Sequence, residues 1–150
     1  MFGRNFAKGL AAGFVATCVI SVLMIVKTMI GFAPQVSVIA MLTRMAGAGT
    51  PGVGWAIHFA VGTLLWGGLF SWIDSNLRSE IYWLHGLGFA FFAWLAMMIL
   101  LMPLAGAGFF GLELGAAVPV VTFVFHMIYG AVLGAVYGAE RPETLVEAGG

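Results

Sequence analysis

The sequence has 150 residues, of which 62% are hydrophobic and 8% are charged, and its mean hydropathy is +1.07. Soluble domains are about 45–50% apolar and about 25% charged, so the composition excludes a soluble globular protein and is typical of an integral membrane protein. Its formal net charge of zero excludes nucleic acid as a partner, because the chain has no basic stripe to neutralise phosphates. We therefore predict one membrane domain over residues 1–150.

Four apolar stretches are long enough to cross about 30 Å of hydrocarbon, which takes roughly 20 helical residues. We number them spans 1 to 4 in chain order, with predicted bounds of about 8–31, 53–73, 82–104 and 118–138. Between spans 1 and 2, apolar side chains recur at helical spacing between Pro34 and Pro51, which predicts a short interfacial helix. The polar residues 139–150 predict a flexible tail. The predicted fold is all-α, a polytopic membrane four-helix bundle.

The basic residues near the span ends predict the orientation of the bundle, because cytoplasmic loops are enriched in Lys and Arg. With both termini in the cytoplasm, four basic residues lie inside and two outside. The inner residues are Arg4, Lys8, Arg78 and Arg141, and the outer ones are Lys27 and Arg44. The connection between spans 2 and 3 also holds Asp74, which we expect in water or among lipid headgroups.

Two of the three histidines lie in matching surroundings, His58 in span 2 and His126 in span 4. At one constant offset, the set Pro51, Val53, His58, Gly62 and Leu65 matches the set Pro119, Val121, His126, Gly130 and Leu133. The match predicts an internal repeat of two helical hairpins in the same orientation, related by an approximate two-fold axis along the membrane normal. Both histidines would then lie at similar depths in the outer half of the bundle.

Small residues recur every fourth position in spans 1, 2 and 4. This spacing lets helix backbones approach closely where lipid removes the hydrophobic drive between helices. The residues predicted to pack helices in this way are Gly9, Gly13, Gly62, Gly130, Gly134 and Gly138. We therefore expect both histidines to point inward, into a bundle that is either packed solid or leaves a slot between spans 2 and 4.

Ionisable residues inside a membrane are candidates for functional sites, and His58, His126 and Lys27 form the candidate site of this chain. In one interpretation, each imidazole hydrogen-bonds a neighbouring helix and stabilises the bundle, and no cofactor is bound. In the alternative, both imidazoles ligate the iron of haem b, and the glycines one turn away give the macrocycle room. Lys27 either extends its ammonium group to the interface or serves as a counter-charge near the histidines.

Catalytic chemistry has little support in the sequence. No paired carboxylates lie within the spans, and two histidines without a third ligand make a weak zinc site. We predict no enzymatic activity and no metal apart from the haem iron of the alternative. The leading hypothesis is an accessory subunit that docks against a larger membrane complex or against a second copy, and we expect bound lipid. The aromatic outer faces that would dock are those of Phe89, Phe91, Phe92 and Trp94.

The segments MPLAGAGFFG and HMIYGAVLGAVYG, together with IHFAVGTLLWGG, resemble an uncharacterised family of small bacterial integral membrane proteins. Members of that family have four predicted spans, with histidine and glycine motifs in the second and fourth. The resemblance extends from about Gly9 to Gly138. It implies a multi-pass protein of the bacterial inner membrane, and it implies no particular activity.

Overall fold

The computed structural model describes residues 2–76 and 81–139, with side chains from residue 5 onward. Every regular element in this part of the chain is a helix. Four of the helices are long and apolar enough to cross a membrane, and these are Asn5–Met29, Pro51–Asp74, Tyr82–Leu104 and Ala117–Ala139. The prediction of an all-α fold with four spans is confirmed, and the predicted bounds agree with the observed ones to within a helical turn.

Local signals explain where the spans begin and end. Pro51 occupies the first turn of span 2, where its missing N–H group costs no helical hydrogen bond. Just beyond span 1, Gly31 has a φ of +69°, which a glycine adopts without steric cost. There the N–H of Phe32 donates to the carbonyl oxygen of Lys27 at 3.1 Å, and this bond caps the helix. Span 3 ends in the same way at Gly106, which has a φ of +73°.

The four spans form an antiparallel bundle in the spatial order 2, 1, 4, 3. Span 1 packs along span 2, span 3 packs along span 4, and spans 1 and 4 pack against each other in the middle. We name the end where span 1 begins and span 4 finishes the terminal end, and the opposite end the loop end. Spans 2 and 3 contact each other at the terminal end and diverge toward the loop end.

Glycines allow close approach within each hairpin. A Cβ added at Gly13 in span 1 would come within 2.8 Å of the Gly62 carbonyl oxygen in span 2. Gly86 in span 3 and Gly130 in span 4 lie so close that a Cβ on either one would overlap the carbonyl oxygen of the other. Each of the six glycines predicted to pack helices lies against another helix, and these are Gly9, Gly13, Gly62, Gly130, Gly134 and Gly138.

An aromatic cluster fills the terminal end of the bundle. The ring of Phe70, which is fully buried, lies 5.5 Å from that of Phe89 and 5.3 Å from that of Tyr137. The ring of Trp66 lies 5.8 Å from that of Phe89. Edge-to-face pairs at these distances stabilise a core beyond the area that they bury. The bundle is therefore densely packed between Trp66 and the terminal end, and its free volume lies nearer the loop end.

Spans 2 and 3 each contain a π-helical segment, Val61–Gly67 in span 2 and Met97–Leu101 in span 3. A π turn makes i→i+5 hydrogen bonds and is wider than an α turn, and such segments occur frequently at functional sites. The segment in span 2 begins within one turn of His58. Neither segment is predicted by the sequence pattern.

A short helix, Val38–Met45, lies between spans 1 and 2 and packs on the start of span 2. The Ser37 side chain caps it by accepting a hydrogen bond from the N–H of Ala40 at 3.4 Å. Ile39 is buried, and the backbone of Gly54 lies directly against it. A helix is therefore present where the sequence predicts one, and its location at the membrane interface stays a prediction.

The predicted orientation depends partly on residues that the structure does not describe. Arg78 and Arg141 lie outside the described residues, and so does the predicted flexible tail after Ala139, the last residue of span 4. The structure describes Arg4 only as part of the first helix. The placement of both termini in the cytoplasm stays a prediction.

The prediction of an aromatic outer face on span 3 is wrong for two of its four residues. Phe91 and Phe92 are exposed. Phe89 packs inward against the aromatic cluster, and the Trp94 indole N–H donates to the Thr122 hydroxyl of span 4 at 3.2 Å. The physical reason is the helical period of 3.6 residues, since four residues within six positions cannot all lie on one face.

Candidate functional site

A cavity of about 600 Å³ lies toward the loop end of the bundle. All four spans and the short helix contribute to its walls. Leu65, Leu100 and Leu104 line it and are also 52%, 62% and 78% exposed, so its mouth lies between spans 2 and 3. In a membrane, this mouth faces the hydrocarbon. Ligand pockets in proteins typically measure about 300–1,000 Å³, so the cavity has room for a small molecule.

The two π-helical segments border the mouth of the cavity. The lining residues that they contribute are Val61, Gly62, Leu65 and Trp66 from span 2 and Met97, Leu100 and Leu101 from span 3. The widened turns therefore occur in the two spans that diverge, and at the level where they diverge. This placement is consistent with the frequent use of π turns at binding sites.

His58 and His126 both line this one cavity. Each lies about two helical turns from the loop end of its span. The sequence predicts that they point inward and allows for a slot between spans 2 and 4. The structure brings the two side chains to one cavity, and the mouth of that cavity lies between spans 2 and 3.

Hydrogen bonding assigns the tautomer of His126. Its Nδ1 lies 2.8 Å from the carbonyl oxygen of Thr122, and a carbonyl only accepts, so Nδ1 carries the proton. The Nε2 of the neutral ring is then an unprotonated nitrogen with a lone pair. It has no hydrogen-bond partner among the residues that the structure describes. Metal-ligating histidines are commonly held through the same contact, from Nδ1–H to a backbone carbonyl.

His58 is held through its other nitrogen. Its Nε2 lies 3.2 Å from the Ser21 Oγ in span 1. The Ser21 hydroxyl donates its proton to the carbonyl oxygen of Thr17 at 2.7 Å, so the hydroxyl oxygen accepts from the Nε2–H of His58. The lone pair of His58 is therefore on Nδ1, which has no partner in the described part of the chain. The two imidazoles share one cavity but are fixed in opposite tautomers.

Tyr129 adds a polar group that the sequence analysis missed. It lines the cavity, and its hydroxyl donates to the carbonyl oxygen of Gly62, at 2.6 Å, linking span 4 to the π-helical segment of span 2. The signal that would have found it is its position three residues after His126, since residues at this spacing lie on one helical face.

His58, His126 and Tyr129 thus define a candidate binding site within the larger cavity. Residues 3–146 of the chain match a family described as a family of unknown function (DUF6789). The chain belongs to this family. No curated protein and no solved structure matches the chain. The predicted resemblance to an uncharacterised family is confirmed, and bacterial origin stays a prediction.

In this member of the DUF6789 family, Lys27 lies apart from the two histidines. It is 7% exposed, and its ammonium group donates to the carbonyl oxygens of Phe32 and Ala33 at 3.2 and 3.0 Å. It lines a second cavity of about 220 Å³ and does not line the larger one. Lys27 therefore fixes the connection after span 1, and its ammonium group turns back onto the backbone.

Asp74 is buried within the protein, which the sequence pattern does not predict. It is 6% exposed, and its Oδ1 lies 2.7 Å from the Nδ1 of His85. The pair joins the end of span 2 to the start of span 3. Asp74 and His85 meet because the connection between these spans is short and places the last turn of span 2 beside the first turn of span 3. A buried carboxylate requires a partner of this kind. The location of this connection in water or among headgroups stays a prediction.

Proposed function

We propose that the protein binds a lipid-soluble molecule in the cavity between spans 2 and 3, with His58 and His126 as its polar contacts. One observation carries the proposal: a cavity open to the hydrocarbon contains two imidazoles from different spans, each with a nitrogen that has no partner in the described part of the chain. Polar groups at membrane depth are costly and typically functional. A ligand that bonds to these nitrogens offsets that cost.

The shape of the cavity supports a ligand from the bilayer rather than from water. Its walls are overwhelmingly apolar, and its mouth is bordered by exposed leucines that contact lipid in a membrane. Apolar walls with a few placed polar groups are typical of sites that bind apolar molecules with a polar head. Membrane lipid fits the outer surface of the bundle for the same reason, since its exposed side chains are largely apolar.

Filling the cavity tests this proposal. Ala96 lines the cavity, whereas Ala60 is an exposed residue of span 2 that does not line it. We expect native mass spectrometry of the protein released from nanodiscs to detect a retained small molecule, and Ala96→Phe to lower its occupancy at least about ten-fold by occupying its space. The matched control Ala60→Phe should retain it. Equal occupancy in both variants, or an empty wild-type protein, would contradict the proposal.

Haem b is a second candidate, and the tautomer of His126 favours it. The Nδ1–H contact of His126 with Thr122 leaves Nε2 available as an axial ligand. Ligation by the Nε2 of His58 requires that ring to leave Ser21, to which it now donates. A bis-His haem would give the purified protein a Soret band and sharp reduced α and β bands, so an absorption spectrum separates this candidate from a colourless ligand.

Other features predicted from the sequence complete the proposal. We also propose that the chain has no catalytic activity and lies in the bacterial inner membrane. The distribution of Lys and Arg supports the placement of both termini in the cytoplasm. The two hairpins descend from one repeated unit, which is supported by their matched contacts: Gly13 meets Gly62 in the first hairpin as Gly86 meets Gly130 in the second. An accessory role, with a partner subunit or a second copy on the exposed Phe91 and Phe92, is compatible with ligand binding.

A further inference from the structure

We infer that the ligand of this cavity is a lipid-soluble hydroquinone, whose two hydroxyl groups donate hydrogen bonds to His58 and His126. The inference rests on the proposed function and adds the chemical class of the ligand. It follows from the hydrogen-bond donors and acceptors of the lining side chains that are not already used within the protein.

The hydroxyl protons that line the cavity are used within the protein. Thr17 donates to the carbonyl oxygen of Gly13 at 2.7 Å, and Thr122 donates to that of Val118 at 2.7 Å. Tyr129 donates to a backbone carbonyl as well. Each of these hydroxyl groups has one proton, so none of them can donate a second bond to a ligand.

What remains at the imidazoles is a pair of acceptors. The free nitrogens are the Nε2 of His126 in span 4 and the Nδ1 of His58 in span 2, and both carry lone pairs. Among the described lining residues, the indole N–H of Trp66 is the one side-chain donor without an internal acceptor. A ligand that only accepts hydrogen bonds would leave both imidazole nitrogens without a partner, whereas a ligand with two hydroxyl groups can bond to each.

The walls favour a flat ring that carries these hydroxyl groups. Trp66, Phe125 and Tyr129 line the cavity together with aliphatic side chains, and aromatic rings pack favourably against one another. A hydroquinone places its two hydroxyl groups on opposite sides of one ring, which suits acceptors on two different spans. An apolar tail on the ring would leave through the mouth between spans 2 and 3. A lipid with a single hydroxyl group would satisfy only one imidazole.

The test compares three probes of nearly the same shape: a decyl-substituted 1,4-benzoquinol, its oxidised quinone, and its dimethyl ether. Binding to the purified protein in detergent is followed anaerobically by tryptophan fluorescence, and the Ala96→Phe variant supplies the background from partition into micelles. Because two hydrogen bonds distinguish the quinol from the other probes, we expect its Kd to be about ten-fold lower or more. In His126→Phe, only the bond to His58 remains, so the advantage of the quinol over the dimethyl ether should fall to about three-fold.

The outcomes separate this inference from the proposed function. If all three probes bind equally in wild-type protein but not in Ala96→Phe, the cavity binds apolar molecules and the hydroquinone inference is wrong. Tighter binding of the quinone than of the quinol would also overturn it. If no probe binds better to wild-type protein than to Ala96→Phe, the proposed function is itself contradicted. The comparison of probes uses wild-type protein and does not depend on the folding of the histidine variant.

Discussion

Replacing Gly86 with alanine is expected to lower the free energy of unfolding by about 2–3 kcal/mol, the upper part of the usual range for overpacking. The added Cβ would overlap the Gly130 carbonyl oxygen and lie about 2.9 Å from the Gly134 backbone nitrogen. These are backbone atoms, so spans 3 and 4 must separate to admit the methyl group. Reversible unfolding in mixed micelles of mild detergent and sodium dodecyl sulfate measures the change.

Gly88 supplies the matched control for this substitution, because it lies in the same span and nothing lies within 4 Å of a Cβ added there. Gly88→Ala should leave stability unchanged or raise it by up to about 1 kcal/mol, since alanine favours the helix over glycine. Similar losses in the two variants would show that spans 3 and 4 do not approach through Gly86.

Replacing Asp74 with alanine is expected to cost about 3 kcal/mol, the upper value for a hydrogen bond to a charged group. The substitution removes the acceptor of the His85 Nδ1 proton at 2.7 Å and leaves that imidazole in a largely buried site. Asp74→Asn keeps a carbonyl acceptor and should cost less. The same unfolding titration measures both variants.

Ser75→Ala serves as the control for the Asp74 variants, since Ser75 is adjacent and exposed, and among the described residues its hydroxyl bonds to the nearby carbonyl oxygen of Trp72. It should change stability by less than about 0.5 kcal/mol. The double variant with His85→Ala should cost less than the sum of the two single variants, because the residues interact directly. Additive losses would mean that the pair does not couple spans 2 and 3.

The number and bounds of the spans follow from the sequence because apolar length is a local property of the chain. Helix ends at Gly31 and Gly106 and the start of span 2 at Pro51 are local for the same reason. The inward direction of His58 and His126 also follows from the small residues that recur beside them. Apolar length, the local effects of glycine and proline, and helical periodicity are enough for these predictions.

Contacts between helices depend on the rotation and divergence of the spans, which no single segment encodes. The bond between His58 and Ser21, the burial of Asp74 beside His85 and the mouth of the cavity all arise in this way. Gly86 was a missed local signal, because it lies four residues before the buried Ala90 at the spacing used elsewhere for helix packing.

Two imidazoles, fixed in opposite tautomers, line one ligand cavity and leave a free nitrogen each. Nitrogen-15 NMR of histidine-labelled protein in nanodiscs tests this arrangement, because each of the three histidines reports whether each ring nitrogen carries a proton. We expect the Nε2 of His126 and the Nδ1 of His58 to be unprotonated, and to shift when decyl-1,4-benzoquinol is added while His85 stays unchanged. Protonated Nε2 in His126, or spectra that saturating quinol leaves unaltered, would contradict this arrangement.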